Sequence, residues 1–317
     1  MLKNYGMPYM GSKSKILHLI QYILERHFDK KYFIDVFCGG FAVSHYVLLH
    51  NKFTVLANDA NKYVIALIKK ALNGLPSTVY EFVDRARFKD VIENPDNYED
   101  WYVGFVTTIY SFGNSQKAYM FGEDIEEHKR SLHNALVFNE WGGIATEFFV
   151  PETVKAIDYK LYPKKRLDFM RFVKAKIKEE RVSRLQQLER LQQLQQLQQL
   201  EQLSRLERLQ HDDWRVFLNE IPHKILENAV IYCDPPYENT AEYAENTFNH
   251  ADFWQWFRET PYCVYVSSYE APSDIEPVSF DLKSQLLAGG AGRKITENIY
   301  WNGKGNPHLT LEDLLFN

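Results

Sequence analysis

Cysteine is scarce in this chain: Cys38, Cys233 and Cys263 are the three in 317 residues, and no two stand in C-x-x-C spacing. An odd, unpaired set excludes a disulfide framework and a zinc knuckle, and it points to a reducing compartment. Long apolar runs are missing too. No stretch of about 18 apolar residues occurs to span a bilayer, and the opening MLKNYGMPYMGSKSK has no apolar core of signal-peptide length. The expectation is a cytoplasmic protein with no membrane partner. The ten histidines include no H-x-x-x-H pair, so no metal is expected. Neither G-x-G-x-x-G nor G-x-x-x-x-G-K-[ST] appears, which leaves nothing designed to cradle a pyrophosphate or a triphosphate.

What is present is a chain that is 45% hydrophobic, enough to bury a substantial core in one large domain or two of ordinary size. A formal net charge of −5 argues against a wholly basic nucleic-acid binder, yet the charge is uneven. Between Lys155 and Arg184 stand eleven Lys or Arg against four Asp or Glu. Such a sub-region can carry phosphate contacts on an acidic protein, with Lys164, Lys165, Arg166 and Arg171 as candidates; it also reads as a solvated amphipathic helix.

Three blocks follow one another. In residues 1–75, KYFIDVFCGGFAVSHYVLLH and KFTVLANDANKYVIALIKKALNG each read strand, turn, helix, the rhythm of a βαβ unit with a parallel sheet. Residues 76–215 lose that rhythm, being aromatic, then basic and helical, then repetitive. Residues 216–317 return to it, with the strands AVIYC and CVYVSSY, a helix around Phe253 to Arg258, and RKITENIYWNG as a hairpin strand. The outer blocks read as one sheet interrupted by the middle.

The repeat places leucine at every third position from Leu185 to Leu209. On an α-helix a step of three advances about 300°, so the leucines drift by about 60° at each step and form no single stripe. A coiled-coil seam needs a mean spacing of about 3.5, so this is not a leucine zipper. A long exposed or partner-dependent helix, a small solenoid and a low-complexity spacer all remain open.

Two stretches carry chemistry. Asp35-Val-Phe-Cys-Gly-Gly-Phe41 puts glycines after a strand, where a ligand approaches backbone closely, and Asp59 ends the next strand 24 residues after Asp35. That spacing suits an acid for ribose hydroxyls. In AVIYCDPPYENT an apolar strand runs into Asp234-Pro235-Pro236-Tyr237. Two prolines fix φ twice and remove two donors, while their carbonyls still accept. Asp234 and the Pro235 carbonyl make a rigid pair of acceptors for an exocyclic amino group, and Tyr237 offers a face for a planar ring. A Pro-Pro turn capped by Asp is the plainer reading of the motif in isolation.

Together PYMGSKSK, FIDVFCGGFAVS, NDANKYV and CDPPY resemble, in order, the Dam-like (D12 class) DNA adenine-N6 methyltransferases. SSY at Ser267 to Tyr269 resembles that family's strand motif after the catalytic loop, and TENIYWNG its closing hairpin. The resemblance implies an α/β fold, a Rossmann-like class I methyltransferase sheet formed by 1–75 and 216–317. An inserted, mainly helical target-recognition region at 76–215 would carry the leucine repeat at 185–209. It implies S-adenosylmethionine as cofactor and double-stranded DNA as partner, with self-association through the repeat as a further option. By position it assigns Tyr9, Gly11, Lys13, Asp35, Phe37, Gly39, Gly40 and Asp59 to the cofactor, and Asp234, Pro235, Pro236 and Tyr237 to catalysis. Phe41 departs from the family, which usually has a small residue there. Two other readings remain: a methyltransferase acting on RNA or a protein amide, and a non-catalytic DNA-binding scaffold that uses the repeat.

Overall fold

A computed structural model of the chain describes residues 5–11, 13, 16–138, 140, 197, 200, 203, 205–236, 248–278, 298–305 and 307. The chain divides into two compact units, Met1–Ser12 with Lys62–Gln202, and Lys13–Asn61 with Leu203–Asn317. Among the described residues no helix is long and apolar enough to cross a membrane.

The unit formed by 13–61 and 203–317 is built on a six-stranded sheet of order β3-β2-β1-β4-β5-β6. Its strands are β1 (Tyr32–Asp35), β2 (Thr54–Asn58), β3 (Leu206–Gln210), β4 (Ala229–Cys233), β5 (Cys263–Ser268) and β6 (Asn298–Trp301). The first five run parallel and β6 returns antiparallel to β5, the hairpin strand expected from RKITENIYWNG. Every residue of β4 and β5 is buried, which explains why AVIYC and CVYVSS are continuous apolar runs broken only by two serines.

Side chains alternate across this sheet, and the alternation separates two kinds of chemistry. Ile34, Val36, Ile231, Cys233, Val264 and Val266 join one apolar cluster. They meet α7 (Trp214–Glu220), α8 (His223–Leu226) and α9 (His250–Glu259) through Phe217, Leu218, Leu226, Phe253 and Phe257. Each fully buried large apolar side chain there contributes roughly 1.5–3 kcal/mol of transfer free energy. The helices start where the sequence caps them: the Asp213 side chain accepts from the Arg215 N–H, and Asn249 from the Asp252 N–H. The intervening strand positions, Phe33, Asp35, Tyr232, Tyr265 and Ser267, alternate with the apolar set. The same unit contains α1 (Leu17–Arg26) and α2 (Ala42–His50); Arg205 donates to the carbonyls of Leu48 and Asn51 at the C-terminal end of α2.

Most of the leucine repeat lies outside the described residues. Leu197 and Leu200 are buried, and Leu206 and Leu209 belong to β3, an edge strand paired to β2. Leu, Glu, Arg and Gln favour helix, but β2 presents a row of backbone partners and pairing to it overrides propensity. The division between units accordingly falls at 202/203, whereas the composition shift suggests 215/216.

The unit formed by 1–12 and 62–202 contains α3 (Lys62–Leu72), α4 (Arg85–Glu93), α5 (Asp100–Ile109) and α6 (Glu126–Phe138). Gly104 of α5 lies against the backbone of α3; a Cβ there would sit 2.1 Å from the Tyr63 carbonyl oxygen. Three polar side chains in this unit end on backbone carbonyls. The Tyr110 hydroxyl donates to Glu81 O at 2.9 Å, Tyr119 to Val83 O at 2.8 Å, and His133 Nε2 meets Tyr80 O at 2.6 Å.

Candidate active site

Strand order reverses between β1 and β4: β2 and β3 lie to one side, β5 and β6 to the other. Ligands of open α/β sheets bind outside the carboxyl ends of the strands at such a switch point. Asp35 is the last residue of β1 and Asp234 the first after β4, so both acids stand at that place.

Asp234 is held from both sides. Lys13 Nζ lies 2.9 Å from its Oδ2, and the Ser267 hydroxyl donates to its Oδ1 at 3.1 Å. Tyr232 OH lies 2.8 Å from Ser267 Oγ. Lys13 is only 7% exposed, and a cation so buried is tolerated because it is paired. Sequence resemblance assigns Lys13 to the cofactor; the structure brings it onto the acid of the D-P-P-Y motif. Pro235 and Pro236 follow directly, and Tyr237 lies outside the described residues.

Asp35 is fully enclosed. The Ser44 hydroxyl donates to its Oδ2 at 2.6 Å, while Oδ1 is buried and meets no hydrogen-bond partner among the described residues. Burial pushes its carboxyl up to about 7; the bond from Ser44 opposes that, and the nearby charges of Asp234 and Asp59 add to it. Asp59 is half-buried, and burial raises its pKa as well, opposed by the backbone donors of Asn61 and Gly39. Those donors are Asn61 N–H to Oδ1 and Gly39 N–H to Oδ2, each at 2.9 Å. The glycine turn and the acid beyond it are therefore one hydrogen-bonded assembly. Asn58, buried beside it, donates to Val36 O and Asp212 O and accepts from the Asp212 N–H, tying the ends of β1, β2 and β3 together.

The turn from Cys38 to Phe41 is tight, with the Phe41 N–H on Cys38 O at 2.7 Å. Gly39 has φ 45°, a left-handed value that favours glycine. Phe41 has φ 65° and ψ 20°, also left-handed, with its side chain wholly buried. A bulky residue in that region is strained, and it persists because burial of the ring holds it. Phe37 is anchored edge-on to Phe248 and Phe253 at 5.7 and 5.9 Å.

Of the residues assigned by sequence, Lys13, Asp35, Gly39, Gly40, Asp59, Asp234 and Pro235 thus cluster on strand ends and turns of one unit. Tyr9 and Gly11 belong to the other unit, where Gly11 is exposed at φ +78°. Lys164, Lys165, Arg166 and Arg171 lie outside the described residues. Sequence reasoning misses Ser44, Asn58 and Tyr232 as site residues, and it marks Ser267 by resemblance without placing it on Asp234. A signal existed for Tyr232, which shares the strand period of Asp234; the bond from Ser267 depends on register between β4 and β5, which no local pattern displays. All three cysteines are buried free thiols, and among the described residues no group of three His, Cys, Asp or Glu is arranged to hold a metal ion.

The site offers the acceptors that a nucleoside cofactor bearing a cation would need. A buried carboxylate oxygen on Asp35, without a hydrogen-bond partner among the described residues, suits an ammonium, and Asp59, braced by two backbone donors, retains acceptor capacity for hydroxyl groups. A search of curated proteins finds no match. Residues 9–136, which span the Gly turn and Asp59 and stop short of Asp234, match the family model of the D12 class N6 adenine-specific DNA methyltransferases.

Proposed function

We propose that this chain transfers a methyl group from S-adenosylmethionine to N6 of adenine in double-stranded DNA, with site specificity. The observation that carries the reading is Asp234: an acid at the switch point, clamped by Lys13 and Ser267, and followed by two prolines. The family match over 9–136 supports it independently, since that segment does not include the acid.

Adenine N6 is a poor nucleophile because its lone pair is delocalised into the ring. Asp234 and the Pro235 carbonyl accept from its two N–H groups, which favours localising the lone pair on nitrogen as the new bond forms, and one of those two protons then leaves N6 for solvent. Bound S-adenosylmethionine supplies an electrophilic sulfonium methyl. Asp35 would hold its ammonium and Asp59 its ribose hydroxyls, Gly39 and Gly40 would let it approach the protein backbone closely, and Phe37, Tyr9, Gly11 and Lys13 complete the set that the resemblance assigns. A paired adenine hides N6 in the stack, so the base must be extruded, and Tyr237 is the wall that receives it. Residues 1–75 and 216–317, together with β3 from the end of the middle block, form the catalytic part, and the rest of 76–215 the target-recognition region. Lys164, Lys165, Arg166 and Arg171 contact phosphates there, and the earlier part of the leucine repeat, from Leu185 to Leu194, serves a partner or a second copy.

The test is transfer of labelled methyl from S-adenosylmethionine to unmethylated duplex DNA, with the product base identified by mass spectrometry. The intact protein should make N6-methyladenine and Asp234→Ala should lose about a thousandfold or more in rate. Cofactor binding without transfer to DNA would sink the DNA reading and turn the search to RNA or protein amides. Absence of cofactor binding as well would favour a scaffold.

A further inference from the structure

We infer that Tyr232 and Ser267 are positioning residues: a two-hydroxyl relay that sets the orientation of the Asp234 carboxylate. The inference rests on the reading that Asp234 receives the adenine amino group. Beside Lys13 at 2.9 Å the carboxylate is ionised, and an ionised carboxylate only accepts. The proton of Ser267 must therefore point at Asp234 Oδ1, which leaves the Ser267 oxygen to accept from the Tyr232 hydroxyl at 2.8 Å. The direction is fixed: Tyr232 to Ser267 to Asp234.

Why a relay is needed follows from the torsion it controls. The last side-chain torsion of an aspartate is broad and roughly two-fold, so covalent structure does not hold the carboxylate plane. Neighbouring backbone cannot hold it from the next two residues either, because Pro235 and Pro236 have no N–H. Among the described residues the plane is held by Lys13 on Oδ2 and Ser267 on Oδ1. Lysine is a flexible point charge, whereas Ser267 is fully buried on a central strand and Tyr232 is stacked on Phe33 with ring centroids 6.2 Å apart. Directional control therefore comes from the sheet. It reaches Asp234 through two residues of the same sheet, Tyr232 on β4 and Ser267 on β5, one step past the pair Cys233–Val266.

The experiment compares steady-state methylation of duplex DNA by the intact protein and four variants. Ser267→Ala should lower kcat about tenfold, the scale of one hydrogen bond to a charged group, with KM for cofactor and DNA within about twofold. Tyr232→Phe keeps the ring and removes the outer donor, and should cost about threefold in kcat. Ser267→Thr keeps the hydroxyl and should restore most of the rate; Ser267→Cys matches the volume with a weak donor and should behave like Ser267→Ala. Cofactor affinity by calorimetry checks that each variant is folded, and if Ser267→Ala does not fold, the Thr, Cys and Phe variants decide. Unchanged kcat in Ser267→Ala, or equal rates for Thr and Cys, overturns the relay while the function stands. An intact protein that makes no N6-methyladenine overturns the function, and the relay's purpose with it.

Discussion

The sheet unit and the helical unit differ in where several of their buried polar groups find partners. In the helical unit Tyr110, Tyr119 and His133 each end on a backbone carbonyl, and the non-glycine residues with left-handed backbone, Asn114 and Gln116, are polar. Asn114 bonds Thr108 O with its side chain, and the Gln116 N–H meets Ser111 Oγ. In the sheet unit an Asp is buried with one oxygen unmatched among the described residues, a Lys is buried on a second Asp, and a Phe is left-handed. Those unfavourable features lie at the ends of β1 and β4 and in the turn that follows β1. In the sheet unit these features gather where a ligand is expected; the helical unit also holds a buried atom without a hydrogen-bond partner among the described residues, Arg85 Nε, but its left-handed non-glycine residues are polar and bonded locally.

Phe41 is the largest lever on that contrast. Phe41→Ala keeps the left-handed strain and empties a buried site, and should destabilise the protein by about 3–5 kcal/mol. Phe41→Gly empties the same site while relieving about 1 kcal/mol of strain, so it should be the less harmful of the two. Urea denaturation ranks them. If Gly is the worse substitution, the left-handed geometry carries no strain and the comparison between the units fails on this point.

Asp35 comes next, through pH. Its carboxyl is raised from an ordinary 3.8 to about 7, so between those values the folded state holds a proton that the unfolded state has lost. Stability therefore falls as pH rises from about 4 to about 7 and levels off above, by about 4 kcal/mol at most for one group titrating alone. Asp35→Asn should remove that decline, read as the difference between the two proteins in melting temperature against pH. If Asp35 holds the cofactor's ammonium, binding favours its ionised form. Cofactor affinity should then strengthen as pH rises towards about 7, and calorimetry should record proton release below it. Affinity flat across that range would remove Asp35 from the cofactor.

How much of this was legible in the sequence depends on the range of the interaction. The strand AVIYC, the hairpin strand before Asn302 and the helix around Phe253 were readable because apolar period and β-formers act locally. Asp234 was readable because two prolines stiffen the chain directly after a buried strand and leave an acid and a carbonyl fixed at its end, and Asp59 because it follows the Gly turn at a meaningful distance. β3 was not, since LERLQ has the composition of a helix and becomes a strand only against the open edge of β2. Nor were the partners of Asp234: Lys13 and Ser267 reach it across 221 and 33 residues, by topology and register alone.

Gly104 tests the other side of the comparison. Glycine inside a helix is about 1 kcal/mol less favourable than alanine, so on propensity alone Gly104→Ala would stabilise α5. The added Cβ, however, would meet Tyr63 O at 2.1 Å, Tyr63 C at 2.8 Å and Leu67 Cβ at 3.2 Å, and two of those atoms are backbone that cannot rotate away. The helices must separate, which reduces burial of Val64, Leu67 and Ile68 on α3 and should leave a net loss of about 2 kcal/mol. Thermal unfolding measures it. A melting temperature that rises in Gly104→Ala would mean that the helical unit tolerates a wider spacing, and that close apolar packing is not what distinguishes it from the sheet.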